Sequence, residues 1–191
     1  MFSTFIDNYQ KELWASVEAI DKGEFQKIVE ILRDAYVKDK QIFIAGNGGS
    51  AATANHFVCD FGKNAVPDGK KRRFRIISVC DNIEKITALG NDLEFADIFS
   101  FQLGNLMNEG DVLIEISASG NSPNLVRACE YAKGKKAKII TLTGFAGGKI
   151  KAFSDANINV PLESYEQIED GHMIIVHMLV YFFKNNPAYL P

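Results

Sequence analysis

Cysteine, histidine and net charge are all scarce in this chain of 191 residues. Its 3 cysteines, Cys59, Cys80 and Cys129, are an odd set without paired spacing. That argues against a disulfide framework and suits a reducing, cytoplasmic setting. A net charge of −3 supplies no field that would draw the chain to nucleic acid or to an acidic membrane. The most apolar stretch, Met173–Phe183, is far shorter than the ~20 residues that span a bilayer. The opening Met-Phe-Ser-Thr-Phe-Ile-Asp lacks the basic and long apolar segments of a secretion signal. No internal repeat or low-complexity linker interrupts the sequence. What remains, 47% hydrophobic and 24% charged residues, is the make-up of one globular domain with a substantial core.

Two loops stand out within that plain composition. Ser117-Ala-Ser-Gly-Asn-Ser-Pro-Asn124 follows an apolar run, Asp111–Ile116, that reads as a strand, and it precedes a helical pattern, Leu125–Ala132. A helix start offers free backbone N–H groups and the positive end of the helix dipole. Ser122 suits the N-cap and Pro123 the first helical position. Ser117, Ser119 and Ser122 add hydroxyl donors for a phosphate. Taken alone, such a string is more often just a well-capped turn. The second loop shifts the balance. Gly46-Asn-Gly-Gly-Ser50 also follows an apolar run, Gln41–Ala45, and opens a helix near Ala51. It matches neither a Walker A loop nor a dinucleotide fingerprint. Two such loops at the carboxyl ends of strands predict a ligand crevice in a parallel sheet.

The remaining pattern agrees. Helices are expected at Phe5–Ile20 and Phe25–Val37, broken at Lys22-Gly23. Strands are expected at Gln41–Ala45, Arg73–Val79, Asp111–Ser117, Lys138–Thr143 and Ala156–Pro161. Helical patterns separate them at Ala51–Gly62, Ile83–Leu89, Phe95–Leu106, Pro123–Lys133 and Gly148–Phe153, and a last helix runs from about Ser164 to Lys184. This alternation predicts an α/β fold, a parallel sheet covered on both faces. Residues 1–38 form an N-terminal helical segment and 39–191 the core of a single domain. The last helix is apolar nearly all round, and the first carries Phe2, Phe5, Ile6, Leu13, Trp14 and Val17. Burial against another subunit explains both somewhat better than cover for the sheet alone. The one basic run, Lys70–Arg75, reads first as a solvated loop, second as a source of phosphate contacts from Arg72 or Arg73.

Histidine numbers only 3. His56 and Asp60 are four apart and share one helix face. His172 and His177 differ by ~140° around the last helix, so they do not easily serve one site. Asp170 lies ~20° from His177 and Glu169 ~80° from it, so spacing favours Asp170 as partner while leaving Glu169 open. A lone helical histidine is usually a core residue, and an Asp four residues after a His is often a surface pair. Together with a phosphate cradle, however, these groups suit proton transfer beside a carbonyl. They also suit a divalent metal held by imidazoles and carboxylates.

At these residues the sequence resembles the sugar isomerase (SIS) domain family, and within it the phosphoheptose isomerases. The matching strings are Gly46–Ala52, Gly90-Asn-Asp92, Ser117–Asn124, Thr141–Gly144 with Gly147-Gly148, and the last helix with its two histidines. The resemblance implies a doubly wound, five-stranded, three-layer αβα domain of flavodoxin-like kind. It implies a homotetramer with sites at subunit interfaces. It also implies aldose–ketose isomerisation of sedoheptulose 7-phosphate to D-glycero-D-manno-heptose 7-phosphate through an enediol, on the way to surface polysaccharide. Ser117, Ser119 and Ser122 would hold the phosphate, with Asn47, Gly48, Ser50, Asn91 and Asp92 around the sugar. Asp60 and His177 would be catalytic, and His56, Asp60, Glu169 and His177 would ligate zinc. Three positions depart from the family pattern. Ala118 stands for a threonine, Asp60 for the glutamate base and Glu169 for a glutamine. A same-fold isomerase of another sugar phosphate, or a non-catalytic tetramer that binds a sugar phosphate or a partner protein, are the alternatives.

Overall fold

The computed structural model describes residues 1–69 and 71–191. Helices α1 (Phe2–Glu18) and α2 (Lys22–Val37) precede an alternation of strands and helices. The strands are β1 (Gln41–Gly46), β2 (Arg75–Ser78), β3 (Val112–Ser117), β4 (Lys138–Gly144) and β5 (Ala156–Val160). Helix α3 (Gly49–Asn64) follows β1, α4 (Ile83–Asp92) and α5 (Ile98–Leu106) follow β2, α6 (Pro123–Gly134) follows β3, and α7 (Tyr165–Asn185) follows β5. All strand pairs are parallel, in the order β2-β1-β3-β4-β5.

Alternation along β1 shows how the layers are held. Ile42 and Ile44 point into a core shared with α2, α3 and α7, while Phe43 and Ala45 point into a second core shared with α5 and α6. Every residue of β3 is buried, as expected of a central parallel strand covered on both faces. The first core ends in an aromatic group in which Phe61, Phe74 and Phe183 stack mutually at 4.5–5.6 Å. It anchors α7 to α3.

Several boundaries differ from the sequence reading. Lys22-Gly23 is the first turn of α2, because Asp21 Oδ1 accepts from Gly23 N at 2.8 Å and Glu24 N at 3.1 Å and so caps the helix ahead of the expected break. The segment Phe95–Leu106 divides into a 3₁₀ turn, Phe95–Asp97, and α5. Residues Ile150–Phe153 also form a 3₁₀ turn rather than an α-helix. Strand β2 begins only at Arg75, because the arginines before it are engaged elsewhere.

The basic run lies on the surface, with Arg72, Arg73 and Arg75 exposed, but away from the loops that suit phosphate. Lys70 lies outside the described residues. Lys71 Nζ donates to Leu190 O at 2.7 Å, Arg72 donates to Tyr36 O and covers the Tyr36 ring, and Arg73 donates to Lys63 O at 3.0 Å. Two of these contacts place a cation on the last carbonyls of α2 and α3, where the helix dipole favours it. Neither a nucleic-acid patch nor a phosphate role for Arg72 and Arg73 fits these contacts.

Candidate active site at the carboxyl ends of the strands

The chain leaves β1 toward β2 on one side and β3 toward β4 on the other, so a crevice opens between the two central strands. Both predicted loops lie there. After β1, a Cβ at Gly46 would fall 2.7 Å from the Ser50 carbonyl, and Gly48 sits at φ +54°. This tight reversal starts α3 at Gly49 and buries Ser50 in its first turn. Asn47 and Asn124 exchange amide hydrogen bonds at 3.0 and 2.9 Å, which tie the first loop to the start of α6. Asn124 was not singled out from sequence, although its place in the Ser-Pro-Asn string marked it.

In the loop after β3, Ser117 Oγ accepts from Gly120 N at 3.0 Å and Ser119 Oγ accepts from Asn121 N at 3.3 Å. The backbone thus orients both hydroxyls while leaving their protons free to donate. Ser122 occupies the N-cap of α6 but makes no capping bond, so its hydroxyl is available too. The back wall comes from the loop after β4. Ile150 N donates to Gly120 O at 3.0 Å and Lys149 N to Asn121 Oδ1 at 3.2 Å. Asn91 and Asp92 pair with each other at 2.9 Å at the exposed end of α4.

A second group forms where α3 meets α7. His56 Nε2 and His177 Nε2 lie 2.9 Å apart, and Asp60 Oδ2 is 3.4 Å from the first and 3.9 Å from the second. The rings meet edge to face. Two imidazole nitrogens at this separation require a proton on one of them, and a divalent cation would satisfy both lone pairs together with the carboxylate. The donor set suits a zinc-like ion with an open fourth position. His56, Asp60 and His177 are the group of this kind found among the described residues. Glu169 is not in it. Eight residues before His177, it is ~12 Å away along α7, and its carboxylate lies against Gly49. Asp170, which helix spacing favoured as the histidine's partner, faces away and accepts from Tyr9 OH at 2.6 Å. His172 is a core residue, with Nε2 on Thr143 O at 3.0 Å. Burial pushes its pKa down to about 4.

Two groups, one buried and one half-buried, were not singled out from sequence. Glu115, on β3, is wholly buried. It accepts from the Cys129 thiol at 3.0 Å, and burial pushes its pKa up to about 8. Cys80 Sγ sits 3.3 Å from Gly46 N and 3.2 Å from Gly46 O, and burial raises its thiol pKa. A glutamate inside an apolar strand is the one signal that would have flagged the first.

The fold and these loops define a class, and the SIS domain profile matches residues 5–144. The chain belongs to this family, among its phosphoheptose isomerases. Phosphoheptose isomerase 1 of Campylobacter jejuni is 38% identical over 173 residues, 90% of either chain. The phosphoheptose isomerase of Helicobacter pylori strain 26695 is 35% identical over 182 residues, 91% of this chain and 93% of its own. Among solved structures, the phosphoheptose isomerase of Neisseria gonorrhoeae superposes with a TM-score of 0.87 at 29% identity, covering 97% of this chain and 100% of its own. That of Francisella tularensis gives 0.87 at 25% identity over 96% of each chain.

Proposed function

We propose that the chain converts sedoheptulose 7-phosphate to D-glycero-D-manno-heptose 7-phosphate, for heptose destined for surface polysaccharide. The observation that carries this reading is the meeting of His56, Asp60 and His177 from two helices in a domain whose serine loop suits a phosphate. Ser117, Ser119 and Ser122 donate their hydroxyls to the phosphate, aided by the dipole of α6. Asn47, Gly48, Ser50, Asn91 and Asp92 surround the sugar. Asp60 takes the proton from C1 of the ketose and returns it to C2, while His177 moves a proton between the two oxygens. His56, Asp60 and His177 would hold a zinc ion, which when bound polarises the carbonyl. We place the active form as a homotetramer in the cytoplasm, a reducing setting that suits three free cysteines.

Proton NMR of sedoheptulose 7-phosphate with the protein in D₂O tests this. The expected result is an aldoheptose 7-phosphate carrying deuterium at C2. Asp60→Asn should slow the reaction by roughly a hundredfold or more, the share of a general base. Asp60→Glu, which keeps the carboxylate, should retain most of the rate. No product and no exchange from zinc-loaded protein would refute the assignment.

A further inference from the structure

Phe145 is a bulky residue in a conformation that bulky residues avoid. It is the second residue of the turn that ends β4, which Gly147 N closes on Gly144 O at 2.8 Å, and its φ is +45°. A positive φ in such a turn normally falls to glycine, asparagine or aspartate. The same loop gives glycine to its other positive-φ positions, Gly147 and Gly148. Neighbouring side chains hold the strained residue in place. Asn159 Nδ2 donates to Phe145 O at 3.0 Å, and Thr143 Oγ1 donates to Asn159 Oδ1 at 2.8 Å. Strain that the surroundings maintain in this way points to a use for the side chain.

The position of the ring shows what that use is. Gly144 N donates to Ala118 O at 2.9 Å, and Gly147 and Gly148 lie backbone against backbone on Ser119 and Gly120. The Phe145 turn thus stands beside the serine cradle. Its ring meets that of Tyr165, the first residue of α7, edge to face with centroids 5.1 Å apart. Ile168 packs against Gly144 and docks the first turn of α7 on this loop. Glu169, four residues after Tyr165 and on the same helix face, lies against Gly49. The two rings therefore form a rim between the cradle and the start of α3. The core covers them only in part, since Phe145 is half-buried and Tyr165 is 56% exposed. A phosphate gains nothing from an aromatic face, which carries partial negative charge. The carbon-bound hydrogens of a polyol chain do gain from it.

We propose that Phe145 and Tyr165 form an aromatic wall that packs on the carbon chain of the bound sugar phosphate, at the carbons next to the phosphate. The wall selects a long polyol phosphate over the bare anion. This rests on the reading of the crevice as a sugar-phosphate site. The reacting carbons, C1 and C2, lie at the other end of the chain, so the wall acts on binding and not on proton transfer. Two substitutions separate the ring from its support. Phe145→Gly removes the ring and gives the turn a residue that takes positive φ without strain, so the loop keeps its course. Tyr165→Ala leaves Phe145 in place and removes its partner.

The test is steady-state kinetics with sedoheptulose 7-phosphate, with isothermal titration of sorbitol 6-phosphate, which has no carbonyl to react, and of inorganic phosphate. Phe145→Gly should raise KM roughly tenfold and weaken sorbitol 6-phosphate by a similar factor, the scale of apolar contact with one ring. Its kcat should change little, as expected when binding common to ground and transition state is lost. Tyr165→Ala should shift both in the same direction by a smaller factor. Inorganic phosphate should bind both variants as it binds the wild type, and light scattering should give the wild-type mass. A wild type that turns over, with KM unchanged in Phe145→Gly, overturns the inference alone. An equal loss of inorganic phosphate binding also overturns it, because the ring would then support the cradle, and so does a fall in mass, because the ring would then be a subunit contact. A wild type that binds sorbitol 6-phosphate through Phe145 yet leaves sedoheptulose 7-phosphate unchanged refutes the isomerase reading and supports the wall. A wild type that binds neither compound overturns both.

Discussion

Glu115 carries a proton in the middle of the sheet. One oxygen accepts from the Cys129 thiol and the other has no partner, so burial raises its pKa from the ordinary 4.5 to about 8. The folded chain therefore keeps a proton that the unfolded chain has lost between those two values. Stability is fully present below pH 4.5 and is lost as pH rises toward about 8. His172 works in the opposite direction. Its pKa falls from 6.5 to about 4, so its contribution is present above pH 6.5 and is lost as pH falls toward 4. Glu115→Gln preserves shape and acceptor and removes the alkaline arm. Measured by urea unfolding, its stability relative to the wild type should rise by a few kcal/mol between pH 5 and pH 9, at about 1.4 kcal/mol for each pH unit that separates the folded and unfolded pKa. A gap that stays constant across that range would show that Glu115 is not the group responsible. At this scale sequence spoke unevenly. Spacing four apart was enough to join His56 to Asp60. It also favoured Asp170 over Glu169, because the angle around one helix does not register that Tyr9 from another helix holds Asp170.

Loops that meet across the sheet set the shape of the cradle. Gly120 sits at φ +62°, and a Cβ there would fall 2.2 Å from Gly147 O, while one at Gly148 (φ +61°) would fall 2.2 Å from Ser119 O. The two turns thus lie backbone against backbone, and neither neighbour can rotate out of the way. Gly120→Ala should cost at least about 1–2 kcal/mol for the left-handed conformation alone, with more from the displaced loop after β4. Isothermal titration with inorganic phosphate should show weakened binding, because the Gly120 N–H that orients the Ser117 hydroxyl moves. Gly134→Ala is the control. No atom lies within 4 Å of its would-be Cβ, and alanine at the end of α6 should be neutral or stabilise by up to about 1 kcal/mol. Equal phosphate affinity and an equal unfolding midpoint for Gly120→Ala would show that the contact is not needed. The glycines themselves were readable as turn residues, but their contact was not. Local pattern locates each strand end, whereas β3 and β4 must pair before their loops touch. The same limit produced the error at Lys22-Gly23, where a glycine suggested a break and the Asp21 cap decided otherwise.

At the scale of the whole molecule, the apolar pattern that located the strands also left some surface uncovered. Phe2, Phe5, Ile6 and Trp14 on α1 are 76%, 67%, 53% and 62% exposed, and Tyr181 on α7 is 70% exposed. Apolar side chains this large left exposed on one helix mark a contact surface more often than a free one. The strands were legible because each is a short apolar run between a helix and a turn, whereas their order in the sheet is set by contacts that no local pattern records. The cover for α1 was not legible either, since an amphipathic helix looks the same whether it packs on its own sheet or on a second copy. The internal side of α1 is accounted for by Tyr9 on Asp170 and by Gln167. His56 and His177 are exposed in the single chain, although proton transfer gains from excluding water. A neighbouring copy would supply that cover, which links assembly to activity. Light scattering coupled to gel filtration should therefore give about four times the 21.2 kDa of one chain. Phe5→Asp with Trp14→Asp should lower that mass and the isomerase rate together, while circular dichroism stays that of a folded domain. A monomer of full activity would break the link, and so would a dissociated variant that keeps the wild-type rate.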